Sequence, residues 1–256
     1  MANRSSPAAA ARAAVVAAAN VTHGIEQALL GAVADKPGKA DGRSQRWEKH
    51  KQARRTELTD GTIDGLRILG PDVGMDEIAT HIGVSKTVLY RYFADKNDLG
   101  VAVTVRFFET TLLPRLTEAI SDDVDEYTLT RTVISVYVTA VADEPSLYKF
   151  TMSTAGPSST ADSEKLVAQL LATAMRLRMA ERDVDMSGAE VWADALVGGI
   201  QRAVDAWMTD RSVPVGDVID YLTMMVWSSI VGIAAFNGSR DAYMSSPPAL
   251  VYPGES

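Results

Sequence analysis

The stretch Ile78-Ala79-Thr80-His81-Ile82-Gly83-Val84-Ser85-Lys86-Thr87-Val88-Leu89-Tyr90-Arg91-Tyr92-Phe93-Ala94-Asp95-Lys96-Asn97-Asp98-Leu99 decides the fold. Its apolar residues recur at helical spacing on both sides of Gly83 and do not alternate as a strand would. Gly83 is placed to end a short helix over 75–82, because glycine enters the left-handed region without a Cβ clash. Ser85 is a favoured N-cap for a second short helix running to residue 93. Two short helices joined by so tight a turn make a helix-turn-helix. Ile78, Ala79, Ile82, Val84 and Leu89 then turn inward, and Ala79 is small enough to let the second helix approach. The leading end of that helix, Ser85-Lys86-Thr87, faces outward. It offers free N–H groups and the positive end of the helix dipole, which suit phosphates or base edges.

Working outward, glycine, proline and capping residues divide the rest into helices. One is expected over 47–69, stopped by Gly70-Pro71. Asp95 caps a long helix towards residue 119 that Pro114 must kink or end. Asp123 with Glu126 opens a helix stopped at Pro145, and a brief helix follows over 146–154. Residues 156–159 read as a loop and 162–181 as a helix. Ser187 with Glu190 forms an S-x-x-E capping box for a helix to about 208, and the last helix covers 215–236. The chain is thus read as all-α. An N-terminal extension (1–44) is an Ala-rich helix or arm plus a Gly/Pro linker. A three-helix helix-turn-helix domain (45–95), a larger helical domain (96–238) and a tail (239–256), unstructured from Ser245 on, follow.

Composition excludes several chemistries. The 256 residues are 46% hydrophobic and 23% charged, enough apolar content for a sizeable core. Cysteine is absent, which removes disulfides, thiolate catalysis and iron–sulfur ligation. The three histidines, His23, His50 and His81, do not stand at helical ligand spacing, so neither a metal nor a cofactor is expected. No Ser/His/Asp set or phosphate loop is visible, so an enzyme is not expected. Residues 221–236, the helical part of an uncharged run over 221–239, fall short of the roughly 20 apolar residues a bilayer needs and read as a buried or interface helix. The Ala run near the N-terminus is a weak export signal, and a cytoplasmic, non-membrane protein is expected.

Charge is segregated. The net charge is −8, yet residues 43–100 hold 10 Lys/Arg against 9 Asp/Glu, whereas 101–256 hold 11 against 21. Arg43, Arg46, Lys49, Lys51, Arg54 and Arg55 face Glu48 alone within 43–55. The asymmetry suits one part that meets a polyanion and one that does not, or a solvated helix face.

The quoted stretch follows I-A-x3-G-V-S-x3-L-Y-x-Y-F-x2-K-x2-L, eleven positions at fixed spacing, and over 47–105 it resembles the TetR family of bacterial transcriptional repressors. The resemblance implies that Lys86, Thr87 and Val88 read bases in the major groove of double-stranded DNA. Tyr90 and Tyr92 would touch the backbone, Lys96 a phosphate, and Arg91 either. Lysine donates to guanine O6 and N7, and Thr87 or Val88 can meet a thymine methyl, whereas tyrosine and phosphate contacts set register. The sequence departs from the pattern at Gly74 and Met75, where many members have Thr, and at Asp76, where basic residues are common. That carboxylate repels DNA unless it caps the helix or accepts from a cytosine amine. Arg43 and Arg46 are candidates for a minor-groove arm and Arg54 for a phosphate contact.

For the larger domain the resemblance implies a ligand cavity. Candidate lining residues are Phe107, Phe108, Tyr137, Met175, Met179 and Trp192, since Met and aromatics adapt to apolar ligands. Arg202 is a candidate for an anionic headgroup, and a fatty-acyl effector fits such a lining. Small residues among large ones in the last two helices (Gly198, Gly199, Ala203; Ser228, Gly232, Ala235) suit a homodimer interface, or the closing of a monomer core. The function implied is a ligand-responsive repressor on a pseudo-palindromic operator. The alternatives are an activator of the same family or a DNA-organising protein without a ligand.

Overall fold

A computed structural model of the chain describes residues 42–119, 125–154, 168–169, 171–173, 175–176 and 184–249, with the side chains of 42–46 and 48 outside the description. The expected N-terminal helix, the loop over 156–159, Asp123 and the ends of the 162–181 helix lie outside the described residues. Those residues are helices joined by turns, with no strand among them: α1 (Gly42–Leu69), α2 (Met75–Ile82), α3 (Lys86–Tyr92), α4 (Lys96–Phe107), α5 (Leu113–Ala119), α6 (Glu126–Asp143), α7 (Pro145–Thr154), α8 (Ala189–Asp210), α9 (Val215–Ala235) and α10 (Arg240–Ser245).

Helix α1 already includes residues from Gly42 on, ahead of the expected residue 47. It ends at Gly70, whose φ of 92° only glycine adopts without strain. Leu58 and Leu66 of α1, Ile78 of α2, Leu89 of α3, and Leu99 and Val103 of α4 form one buried cluster with Phe93. Leu147 and Phe150 of α7 complete it, so the helix-turn-helix shares its core with the larger domain. Each such side chain contributes about 1.5–3 kcal/mol by leaving water. The α4–α7 approach is close: a Cβ on Gly100 would stand 2.0 Å from Thr154 Oγ1.

The long helix expected from Lys96 is not continuous. A π-turn over Phe108–Leu112 separates α4 from α5. Pro114 lacks an N–H and crowds the carbonyl a turn earlier, and the widened turn accommodates it. Asp125, not Asp123, caps α6 by accepting from the Thr128 N–H at 2.8 Å. A second cluster joins α6, α8 and α9 through Ile134, Val138, Val204, Trp207, Leu222 and Val226. A third, of Ala168, Ala172, Ala189, Ala193 and Val197, packs small residues.

The capping box expected at Ser187 is corrected. Gly188 is the N-cap of α8 and no side chain caps it. Ser187 Oγ instead donates to Asp185 Oδ1 at 2.5 Å, and Glu190 pairs with Arg176 at 2.7 Å. The Ser187 hydrogen bonds hold the Asp185 carboxyl below its ordinary range. Ahead of the segment expected to be unstructured, the tail holds α10, capped by Ser239 and packed through a Phe236–Tyr243 ring contact.

Candidate nucleic-acid interface

Helix α2 opens at Gly74, whose N–H donates to Glu77 Oε2 at 2.8 Å. Glutamate thus supplies half of a capping box where the hydroxyl half is missing. At the turn, Gly83 has φ 76° and ψ 28°; its N–H donates to Thr80 O and that of Val84 to Ala79 O at 2.9 Å. Ser85 Oγ accepts from the Val88 N–H at the start of α3. Ile78, Ala79 and Leu89 are buried and Ile82 and Val84 pack against them, as expected for a helix-turn-helix.

This packing leaves Lys86, Thr87, Tyr90 and Arg91 exposed along one side of α3, with Val88 and Tyr92 half-buried. Tyr92 lies at the edge of the core, which leaves Tyr90 the freer of the two hydroxyl-bearing rings. Lys86 Nζ stands 2.8 Å from Asp76 Oδ1 and 5.9 Å above the Tyr90 ring. Asp76 holds the Lys86 ammonium above its ordinary range, first through the hydrogen bond and then through the charge itself. Lys96, half-buried at the start of α4, sits 5.1 Å over the Phe150 ring. Arg54 pairs with Glu57 one turn on. Arg43 and Arg46 fall within α1, but their side chains are outside the described residues.

One positioning residue was not foreseen. Arg55 is buried, pairs with Asp98 at 2.5 Å, donates to the Tyr92 carbonyl and covers the Phe93 ring at 4.3 Å. It fixes the end of α3 and the start of α4 against α1. Helical phase carries the signal: Arg55, Leu58, Thr62 and Leu66 recur on one face, whereas Arg54 is off it. Exposed Trp47, with Lys51 5.4 Å from its ring, also escaped the sequence reading.

The candidate ligand residues do not converge. Phe107 packs on the first cluster, Tyr137 on the second and Met175 on the third. Phe108 is half-buried in the π-turn. Trp192 lines an apolar cleft of about 420 Å³ with Ile233, Phe236 and Tyr243, which none of the other described candidates borders. Met179 is outside the described residues. Arg202 is 79% exposed and paired with Asp205 one turn away, so it points to solvent and not into a cavity. No group of three or more His, Asp or Glu poised for a metal occurs among the described residues.

The fold and the exposed edge of α3 define a helix-turn-helix DNA-binding protein. Comparison with known proteins narrows this. Residues 70–103 match the family model for bacterial regulatory proteins of the tetR family, and residues 115–242 match the tetracyclin repressor-like C-terminal domain. The chain is 48% identical over 219 residues to the uncharacterized HTH-type transcriptional regulator Rv0472c of Mycobacterium tuberculosis, covering 84% of this chain and 94% of that protein. A tetR-family regulator from Streptomyces coelicolor shares the fold at TM-score 0.53 and 18% identity, over 75% of this chain and 92% of that one. The fatty acid degradation regulator FadR from Bacillus halodurans does so at TM-score 0.51 and 13% identity, over 75% and 96%. The chain belongs to the TetR family and is a transcriptional regulator, not an enzyme.

Proposed function

We propose that the chain is a cytoplasmic, homodimeric repressor whose α3 helices enter successive major grooves of a pseudo-palindromic operator and which a lipophilic, fatty-acyl effector releases. The observation that carries the reading is the outward edge of α3, where Lys86, Thr87, Tyr90 and Arg91 stand free of the core. In this reading residues 45–95 form the DNA-binding head and 96–238 the ligand-binding and dimerisation domain.

The dimer reading rests on α9. Its 21 residues are apolar and mostly exposed, and length and composition alone would let it cross a membrane. Tyr221, Met224, Met225 and Val231 stand exposed along it, and nothing lies within 4 Å of a Cβ placed on Gly198, Gly199 or Gly232. Large apolar residues beside open space suit a second copy packed across a two-fold axis. The effector reading draws on the apolar cleft at Trp192 and on the fold shared with a fatty acid degradation regulator. Ion pairs Arg55–Asp98, Arg106–Asp60 and Arg67–Glu144 tie the head to α4 and to the α6–α7 junction. A shift of α4 on effector binding therefore moves α3 with it.

The test is recovery of fragments from the host's sheared genomic DNA, followed by addition of long-chain acyl-coenzyme A. The expected result is a small set of pseudo-palindromic fragments, each bound by an even number of protomers and released at saturating acyl compound. Recovery no greater than with an acidic control protein overturns the DNA reading. Fragments held equally tightly with the acyl compound present favour the ligand-independent alternative.

A further inference from the structure

We infer that Asp76 is a specificity-determining residue: it holds Lys86 away from generic phosphates and offers, beside it, an acceptor for a base amine on the target site. The inference rests on the proposed reading that the Lys86 edge of α3 meets DNA.

Asp76 is an acidic side chain beside the Lys86 edge of α3, 67% exposed, at the second position of α2. The usual structural duties of an acidic residue there are discharged by others. Glu77 accepts the Gly74 N–H, and Ile78, not Asp76, fills the core. Both carboxylate oxygens of Asp76 point to Lys86 Nζ, at 2.8 and 3.0 Å. Lys86 is the first residue of α3, 57% exposed, and Tyr90 stands beside the pair one turn on.

An exposed pair of this kind shifts an equilibrium by less than about five-fold, so it opens readily when a better partner arrives. Its effect on DNA binding is larger than its strength. While closed it is a neutral unit, and Lys86 neutralises no phosphate and releases no counterion from random sequence. A duplex that opens it must satisfy both halves. Guanine O6 and N7 take the ammonium, and the cytosine N4 amine donates to the freed carboxylate. A site lacking the amine leaves a carboxylate facing an acceptor or a phosphate, which disfavours that site. The pair thus lowers binding to random DNA and raises it where a cytosine amine lies next to the guanine read by Lys86.

The experiment uses the full-length wild type, Asp76→Asn, Lys86→Ala and the double variant, with a randomised duplex pool as the probe. Salt dependence of binding to the unselected pool is measured first, then base preference after selection. Asp76→Asn is expected to tighten binding to the unselected pool and to steepen its log–log salt slope by about 1, the signature of one added phosphate contact. It should also flatten a cytosine preference at one position per half-site while leaving the others intact. The double variant should regain the wild-type slope. An unchanged slope and unchanged preference in Asp76→Asn, with only a lower Tm, assigns Asp76 to the α2 dipole and overturns the inference. A uniform gain at all sequences with the preference intact overturns it as well. Those outcomes leave the proposed function standing. Wild-type protein that selects no duplex overturns both.

Discussion

Arg55 shows what a single residue contributes. Its side chain is 8% exposed and Asp98 opposite is 20% exposed, so the pair is largely out of water. Asp98 also accepts the Ala94 N–H at 2.9 Å, which ties the α3–α4 connection into the same unit. Removing one member of a buried pair leaves the other charge uncompensated. Arg55→Ala is expected to lower unfolding stability by about 3–5 kcal/mol in urea denaturation, whereas Arg54→Ala, which loses a surface pair, should change it by under about 1 kcal/mol. Similar small losses for both would remove Arg55 from its positioning role. Sequence reasoning grouped the two arginines as one basic run. Charge density is visible in a sequence, but only helical phase separates a side chain turned into the core from its neighbour turned to solvent.

At the scale of elements the turn was legible because it depends on local chemistry. Gly83, Ser85 and the apolar spacing around them determine α2 and α3, and these helices stand within a residue of the expected bounds. Elsewhere the same local rules failed when other side chains took the capping groups. Ser187 and Glu190 match a capping box, yet Asp185 and Arg176 take their side chains. The α10 helix is held by Gly238, where the chain passes so near Asp185 that a Cβ would stand 1.9 Å from its carbonyl oxygen. Gly83 and Gly238 both have positive φ, but a Cβ on Gly83 meets nothing within 4 Å. Gly83→Ala should therefore cost only the left-handed penalty, about 1–2 kcal/mol. Gly238→Ala should cost that plus about 1–3 kcal/mol of overpacking. Thermal unfolding of the two variants checks this: equal shifts in Tm would contradict the close approach at Gly238.

For the molecule as a whole, charge segregation suits a division between a part that meets a polyanion and a part that does not. The excess of acid over base lies in residues 101–256, outside the helix-turn-helix, so a chain of net negative charge can still present a DNA-binding face. The candidate ligand residues were less legible. Met and aromatic residues at helical spacing mark core and cavity alike, and Phe107, Tyr137 and Met175 went to three separate clusters. Arg202, apolar-flanked in sequence, turned to solvent with Asp205. The central claim remains the DNA-facing edge of α3. It is tested most directly by the salt dependence and base preference of the full chain on a duplex selected from its own genome. Lys96→Ala should weaken all sequences alike and reduce the salt slope by about 1, whereas Lys86→Ala should relax preference at one base per half-site. Variants that bind and discriminate as the wild type does would contradict it.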